Sequence, residues 1–120
     1  MTNLIMPHGS NELNTLYIED EMARSSMLSA AAEMRSIEIT SAAAANAVMM
    51  GAGYFNPLTG FMNKEEALKV SSEMLTLSNL FWPVPIVNIT KDANSLDYTH
   101  GEEIALKDPN VKGNPVIAIQ

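Results

Sequence analysis

Apolar positions along this chain come in short blocks whose spacing changes several times. Pro7-His8-Gly9-Ser10 has the composition of a turn, and Leu13 to Glu21 reads as a short extended or irregular stretch. A weak helix is predicted at about Met22–Met34. Ile37-Glu38-Ile39 alternates apolar and polar residues, the period of a short strand. Thr40 or Ser41 then offers an N-cap to an alanine-rich helix, and Gly51 is its expected C′ stop. So small-sided a helix suits close packing against another element.

A third helix is expected to start at Asn63-Lys64-Glu65-Glu66, with Asn63 as N-cap and Glu66 placed for a capping box. Ala67, Val70, Met74 and Leu77 would share one face of it. Leu80 to Ile89 is strongly β-forming, but Pro83 and Pro85 exclude a central antiparallel strand there. Their common parity leaves an edge strand or a bulge. Gly101–Leu106 and Pro115–Ile119 read as two further strands joined by the turn-rich Lys107–Asn114. The expected class is α+β: a small mixed sheet, partly open or barrel-like, with flanking helices. The last apolar strand runs almost to Gln120, so we expect the natural chain to continue.

Between the two helical patterns lies Gly51–Met62, with three glycines, one proline and three aromatics. Glycine permits positive φ and close backbone approach, proline fixes φ, and the aromatics supply apolar mass to bury the result. A solvated linker needs none of these.

Composition narrows the function classes. A chain of 120 residues can bury one real core, and 47% hydrophobic content argues against disorder. No apolar run approaches the roughly 20 residues of a membrane span, and the first residues lack the basic region of a signal peptide. The absence of cysteine excludes disulfides, thiolate catalysis and Cys-type zinc sites, and fits a cytoplasmic protein. Seven basic against fourteen acidic residues give a net charge of −7, with the cations scattered. Direct binding of nucleic acid or of acidic membrane is therefore not expected. The nine methionines are read first as core filler and second as a binding surface.

Reactive groups do not assemble into a motif. His8 and His100 sit far apart in Gly-flanked turns, a poor basis for a metal pair. Glu19-Asp20-Glu21, Glu65-Glu66 and Glu102-Glu103 could each supply half of a carboxylate pair, but adjacent acids are usually solvated. Gly51-Ala52-Gly53 lacks the Lys-Ser/Thr of a phosphate loop and the helix start of a dinucleotide fingerprint. No serine stands in a Gly-x-Ser-x-Gly elbow, and Asn88-Ile89-Thr90 matches a glycosylation sequon without an export signal. No catalytic, cofactor-binding or metal residue is assigned.

Four ordered segments nevertheless carry a resemblance. Pro7-His8-Gly9-Ser10 is similar to the Pro-His-Gly-Gly opening of the ATP sulfurylase (sulfate adenylyltransferase) family. Tyr54-Phe55-Asn56-Pro57-Leu58-Thr59-Gly60-Phe61-Met62 resembles its Gly-Phe-x-Pro-Leu-x-Gly-Phe-Met motif, and Leu80-Phe81-Trp82-Pro83-Val84-Pro85-Ile86 its Leu-Phe-x-x-Pro-Ile strand. Gly101, Ile104–Pro109 and Gly113-Asn114-Pro115 echo its Gly…Val-Ala-Leu-x-Asp-Pro…Gly-x-Pro segment. Ser10 departs from the pattern at the second glycine. The wording around Gly51–Tyr54 and Trp82–Pro85 is similar to a variant of sulfur-oxidising bacteria, which implies the ATP-forming direction.

The resemblance implies that residues 1–120 form the amino-terminal PUA-like domain of such an enzyme. In that family a larger nucleotidyltransferase domain interconverts ATP plus sulfate with adenylyl sulfate plus pyrophosphate, with ATP and Mg²⁺ expected for the complete enzyme. Its Gln-x-Arg-Asn-Pro-x-His-x-x-His and Gly-Arg-Asp-His segments are absent here, and both arginines, Arg24 and Arg35, precede Ser36. No family catalytic residue therefore maps onto this chain, and the isolated chain is expected to be inactive. The implied partner is the catalytic domain or a full-length subunit, with homo-oligomerisation a further expectation. Gly51–Met62 would then be a shaped packing turn locking the helical part to the sheet and facing the absent domain. The competing readings are a free-standing PUA-like binding module, which the net charge of −7 disfavours for RNA, and an interaction protein using a Met/aromatic surface.

Overall fold

The computed structural model describes residues 5–89 and 101–120. The chain divides into two compact units, Met1–Tyr17 with Val48–Val87, and Ile18–Ala47 with Asn88–Gln120. Its elements in order are α1 (Glu21–Ala32), β1 (Ser36–Glu38), α2 (Ser41–Gly51), α3 (Lys64–Glu73), β2 (Ala105–Lys107) and β3 (Val116–Ile119). They form a small mixed α+β arrangement of three helices and an open three-stranded sheet among the described residues.

The sheet belongs to the second unit and has the order β1-β2-β3. β1 pairs parallel to β2 with Ile37 opposite Leu106, and β2 pairs antiparallel to β3 with Ala105 opposite Ile119. A register shift falls between Leu106 and Lys107. Consecutive strand residues point to opposite faces, yet Ala105 and Leu106 are both buried, so the central strand is covered on both sides. Ile104 and Gln120 exchange backbone hydrogen bonds of 2.9 and 3.0 Å and extend the antiparallel pair past its formal start.

Helix α1 begins where Asp20 Oδ2 accepts from the Ala23 N–H at 2.8 Å, and this N-cap starts the helix at Glu21, one residue ahead of the expected Met22. It lies against β3 and buries only Ala31, which accounts for its weak sequence pattern. Thr40 Oγ1 accepts from the Ala43 N–H at 3.1 Å at the head of α2, so of the two N-cap candidates Thr40 takes the role. Ala43 and Ala44 are buried there.

The core of the first unit is Met50, Met62, Val70, Trp82 and Ile86, with Phe55, Leu58, Phe61, Ala67, Leu80 and Val87 packed against it. At 25 cal/mol per Å², burying the Trp82 side chain contributes about 4 kcal/mol, more than several ordinary hydrogen bonds. Met50 and Met62 are both core members, in line with methionine as filler.

Two expectations for this unit are corrected. α3 ends at Glu73, and Met74 takes a left-handed conformation (φ 57°) as C-cap, so Met74 and Leu77 leave the apolar face and stay exposed. Only half of the capping box forms: Asn63 Oδ1 accepts from the Glu66 N–H at 2.8 Å, but Glu66 Oε2 accepts from the Leu77 N–H at 3.1 Å. The Glu66 carboxylate thus satisfies a donor beyond the far end of its own helix. Second, Leu80–Ile89 forms no strand beyond a single bridge between Phe81 and Leu75. Pro83 and Pro85 remove the donors a ladder would need. The segment is pinned instead at its buried residues. The Trp82 N–H donates to Met74 O at 2.8 Å, and Ile86 O accepts from the Met62 N–H at 2.8 Å.

Candidate functional site

The glycine- and aromatic-rich turn is a continuation of α2. Gly51 remains helical, and the chain leaves the helix at Gly53 (φ +89°). The Gly53 N–H donates to Met50 O at 3.1 Å and the Tyr54 N–H to Met49 O at 3.0 Å, the two bonds of a Schellman ending. Gly53, not Gly51, is therefore the C′ glycine. Gly51 is small for another reason: a Cβ there would stand 2.7 Å from Tyr17 Cε1. The orphan carbonyl of Gly51 is also occupied, and that of Val48 takes a second bond. Gly51 O accepts from the Leu16 N–H at 2.8 Å, and Val48 O from the Ala52 N–H at 3.1 Å and the Tyr17 hydroxyl at 3.2 Å.

Asn56 is the polar centre of the turn. It is 5% exposed, and the peptide bond that follows it, to Pro57, is cis. Its Oδ1 accepts from the Asn14 N–H at 3.0 Å. Its Nδ2 donates to the His8 carbonyl and to Ser10 Oγ, each at 2.8 Å. Ser10 Oγ in turn donates to Glu12 O at 2.6 Å. The three partners fix the orientation of the amide and leave no buried polar atom of the side chain idle. One asparagine thus ties the Pro7–Ser10 turn to the Gly51–Met62 turn.

The opening turn makes its own contacts. Gly9 (φ +75°) sits where a Cβ would lie 2.7 Å from Leu80 Cδ2 and 3.0 Å from Pro57. His8 Nε2 is 2.7 Å from the Phe81 carbonyl oxygen; that oxygen only accepts, so Nε2 carries the proton and donates. The His8 ring lies 5.7 Å from that of Trp82, and Phe55 meets Trp82 edge-on at 6.4 Å. Pro7–Ser10, Phe55–Leu58 and Leu80–Trp82, three of the segments quoted for the family resemblance, therefore meet around Asn56 and Trp82.

The acidic runs have local structural tasks. Asp20 caps α1, Glu66 binds the Leu77 amide, and Glu102 pairs with Arg35 at 3.4 Å. Among the described residues no three His, Cys, Asp or Glu side chains converge on a possible metal position. His100, and Thr90 of the sequon, lie outside the described residues. No helix among the described residues is long and apolar enough to cross a membrane.

Sequence reading pointed to this turn but not to its organising residue. The signal was a lone amide side chain within an otherwise apolar and glycine-rich motif. Its significance depends on partners up to 48 positions away, which no local pattern displays.

Comparison with known proteins agrees with this geometry. Residues 5–120 match the PUA-like domain family. The chain is 51% identical over 119 residues to a sulfate adenylyltransferase of Alcanivorax borkumensis, covering 99% of this chain and 29% of that protein. It is 41% identical over 116 residues to a sulfate adenylyltransferase of Allochromatium vinosum, again covering 29% of the relative. Among solved structures, a chain described as a hexameric APS kinase from Thiobacillus denitrificans superimposes with a TM-score of 0.80 at 29% identity. That match covers 97% of this chain and 22% of the other. The chain thus spans less than a third of the length of these relatives.

Proposed function

The chain belongs to the PUA-like domain family, and from that premise we propose that it is the amino-terminal structural part of a sulfate adenylyltransferase. Such an enzyme converts ATP and sulfate to adenylyl sulfate and pyrophosphate, or runs the reverse. The observation that carries the reading is 51% identity across 99% of this chain to a relative of that name more than three times its length. The clasped turn supports it. Its residues serve shape, with Asn56 held by three partners and the space beside the glycines filled by Tyr17, Leu13, Leu80 and Pro57.

The role assigned to this chain is to support a nucleotidyltransferase domain, which is its partner, while contributing no catalytic residue. The test is a chimera in which this chain replaces the matching part of the Alcanivorax borkumensis enzyme. ATP formation from adenylyl sulfate and pyrophosphate is then compared with that of the same enzyme lacking the part. Restored activity in the chimera and none in the isolated chain is the expected result. Turnover by the isolated chain, or a folded but inactive chimera, would overturn the proposal.

A further inference from the structure

We infer that residues 8–17 form a strap that lifts from the first unit as one cooperative piece, with Asn56 as its latch. The segment has no regular secondary structure, and all of its residues except Ser10 are exposed. Leu13, Leu16 and Tyr17 are only partly covered, so it gains less from burial than a core segment does. Much of what holds it is a short series of polar contacts. Three of its positions, the His8 carbonyl, Ser10 Oγ and the Asn14 N–H, converge on the Asn56 side chain. The remaining anchors lie at the two ends: His8 Nε2 to Phe81 O, then Leu16 N–H to Gly51 O and the Tyr17 hydroxyl to Val48 O.

Three features of this arrangement make opening collective. The central anchors share one acceptor and donor group, so losing the latch frees all three together. The strap is also seated on glycines: Leu13 occupies the space a Gly53 Cβ would fill, and the Tyr17 ring that of a Gly51 Cβ. These seats are defined by backbone positions that do not move independently. Finally, the strap's last two anchors satisfy the terminal carbonyls of α2, so lifting it bares Gly51 O and one bond to Val48 O. Segments that bury little and rest on few hydrogen bonds open at lower free energy than the core. In this chain the opened state would expose a polar helix end and the Asn56 amide on one face.

Native-state hydrogen exchange on the whole chain tests this. The Asn14 and Leu16 amides are expected to show matched opening free energies, both clearly below that of the Val70 amide in the core. Ser10→Ala removes one latch partner without touching Asn56, and it should speed exchange at Asn14 and Leu16 by the same factor, at least about threefold; Val70, whose global opening also breaks that contact, should gain no more than this factor and stay far better protected. Asn56→Leu should raise both by more than tenfold; if it fails to fold, the parent and Ser10→Ala measurements still decide. Unequal, independently responding Asn14 and Leu16 amides would overturn the strap as a unit. So would amides that exchange only together with Val70, because the strap would then not open separately from the core.

Discussion

The Tyr17 ring lies where a Gly51 side chain would begin, 2.7 Å from the ideal Cβ position. Gly51 is helical while Gly53 is left-handed, so the two glycines should respond differently to alanine. At Gly51 alanine gains helix propensity of about 1 kcal/mol, offset by displacing a half-exposed ring and its bond to Val48 O. Gly51→Ala should therefore leave stability within about 1 kcal/mol of the parent. Gly53→Ala combines a positive φ with a contact of 2.9 Å to Leu13, and should cost about 2 kcal/mol. Urea midpoints for the pair measure this, and equal effects would refute a helix end at Gly53.

At Asn56 the prediction concerns pH. Asn56→Asp keeps the acceptor for the Asn14 N–H but sets a carboxylate oxygen against the His8 carbonyl. Burial and that oxygen both favour the neutral acid, so its folded-state pKa should rise above the unfolded value of about 3.9. Between those two values the native state binds more protons than the unfolded state, so stability falls as pH rises through that window. The variant should be least stable near neutrality and should approach the parent as pH is lowered toward 4. A stability difference that does not change with pH would show that the side chain is not held against the His8 carbonyl.

How much of this was legible beforehand depends on range. The strands at Ile37, Ala105–Leu106 and Val116–Ile119, and the caps at Thr40 and Asn63, rest on alternation and neighbours three residues apart, and all appear close to where the pattern put them. The misplaced features are those where tertiary contacts override a local preference. Gly51 lacks a side chain because the Tyr17 ring fills that space, while the helix runs on to its ending at Gly53, and the remaining donors of Leu80–Ile89, such as the Trp82 N–H, go to Met74 O and not to a ladder. Glu66 abandons its capping box for an amide eleven positions ahead. The role of Asn56 is set by three partners 42 to 48 positions away, beyond the reach of a local pattern.

Val70 is the largest fully buried side chain of the described residues, and its helix neighbour Leu68 is mostly exposed. Val70→Ala should cost roughly 2 kcal/mol through lost burial and the cavity left among Met50, Met62 and Trp82. Leu68→Ala should change stability by less than about 0.5 kcal/mol. Thermal or urea unfolding of both variants checks the contrast, and a larger effect at Leu68 would place the core on the other face of α3.

The last prediction separates a support role from nucleic-acid recognition. A net charge of −7 repels phosphate, and several of the seven cations have partners within the protein. The Arg24 guanidinium donates to Ile18 O, Arg35 pairs with Glu102, and Lys69 Nζ donates to Asn79 Oδ1 at 2.7 Å. Nonspecific affinity comes from cations neutralising phosphates, and it falls steeply with salt. Titration of single-stranded and hairpin RNA should therefore show no saturable binding, and no gain between roughly 200 and 50 mM salt. Binding that strengthens severalfold across that range would require a cationic surface that the sequence does not provide. It would favour a free-standing RNA-binding module over part of an enzyme.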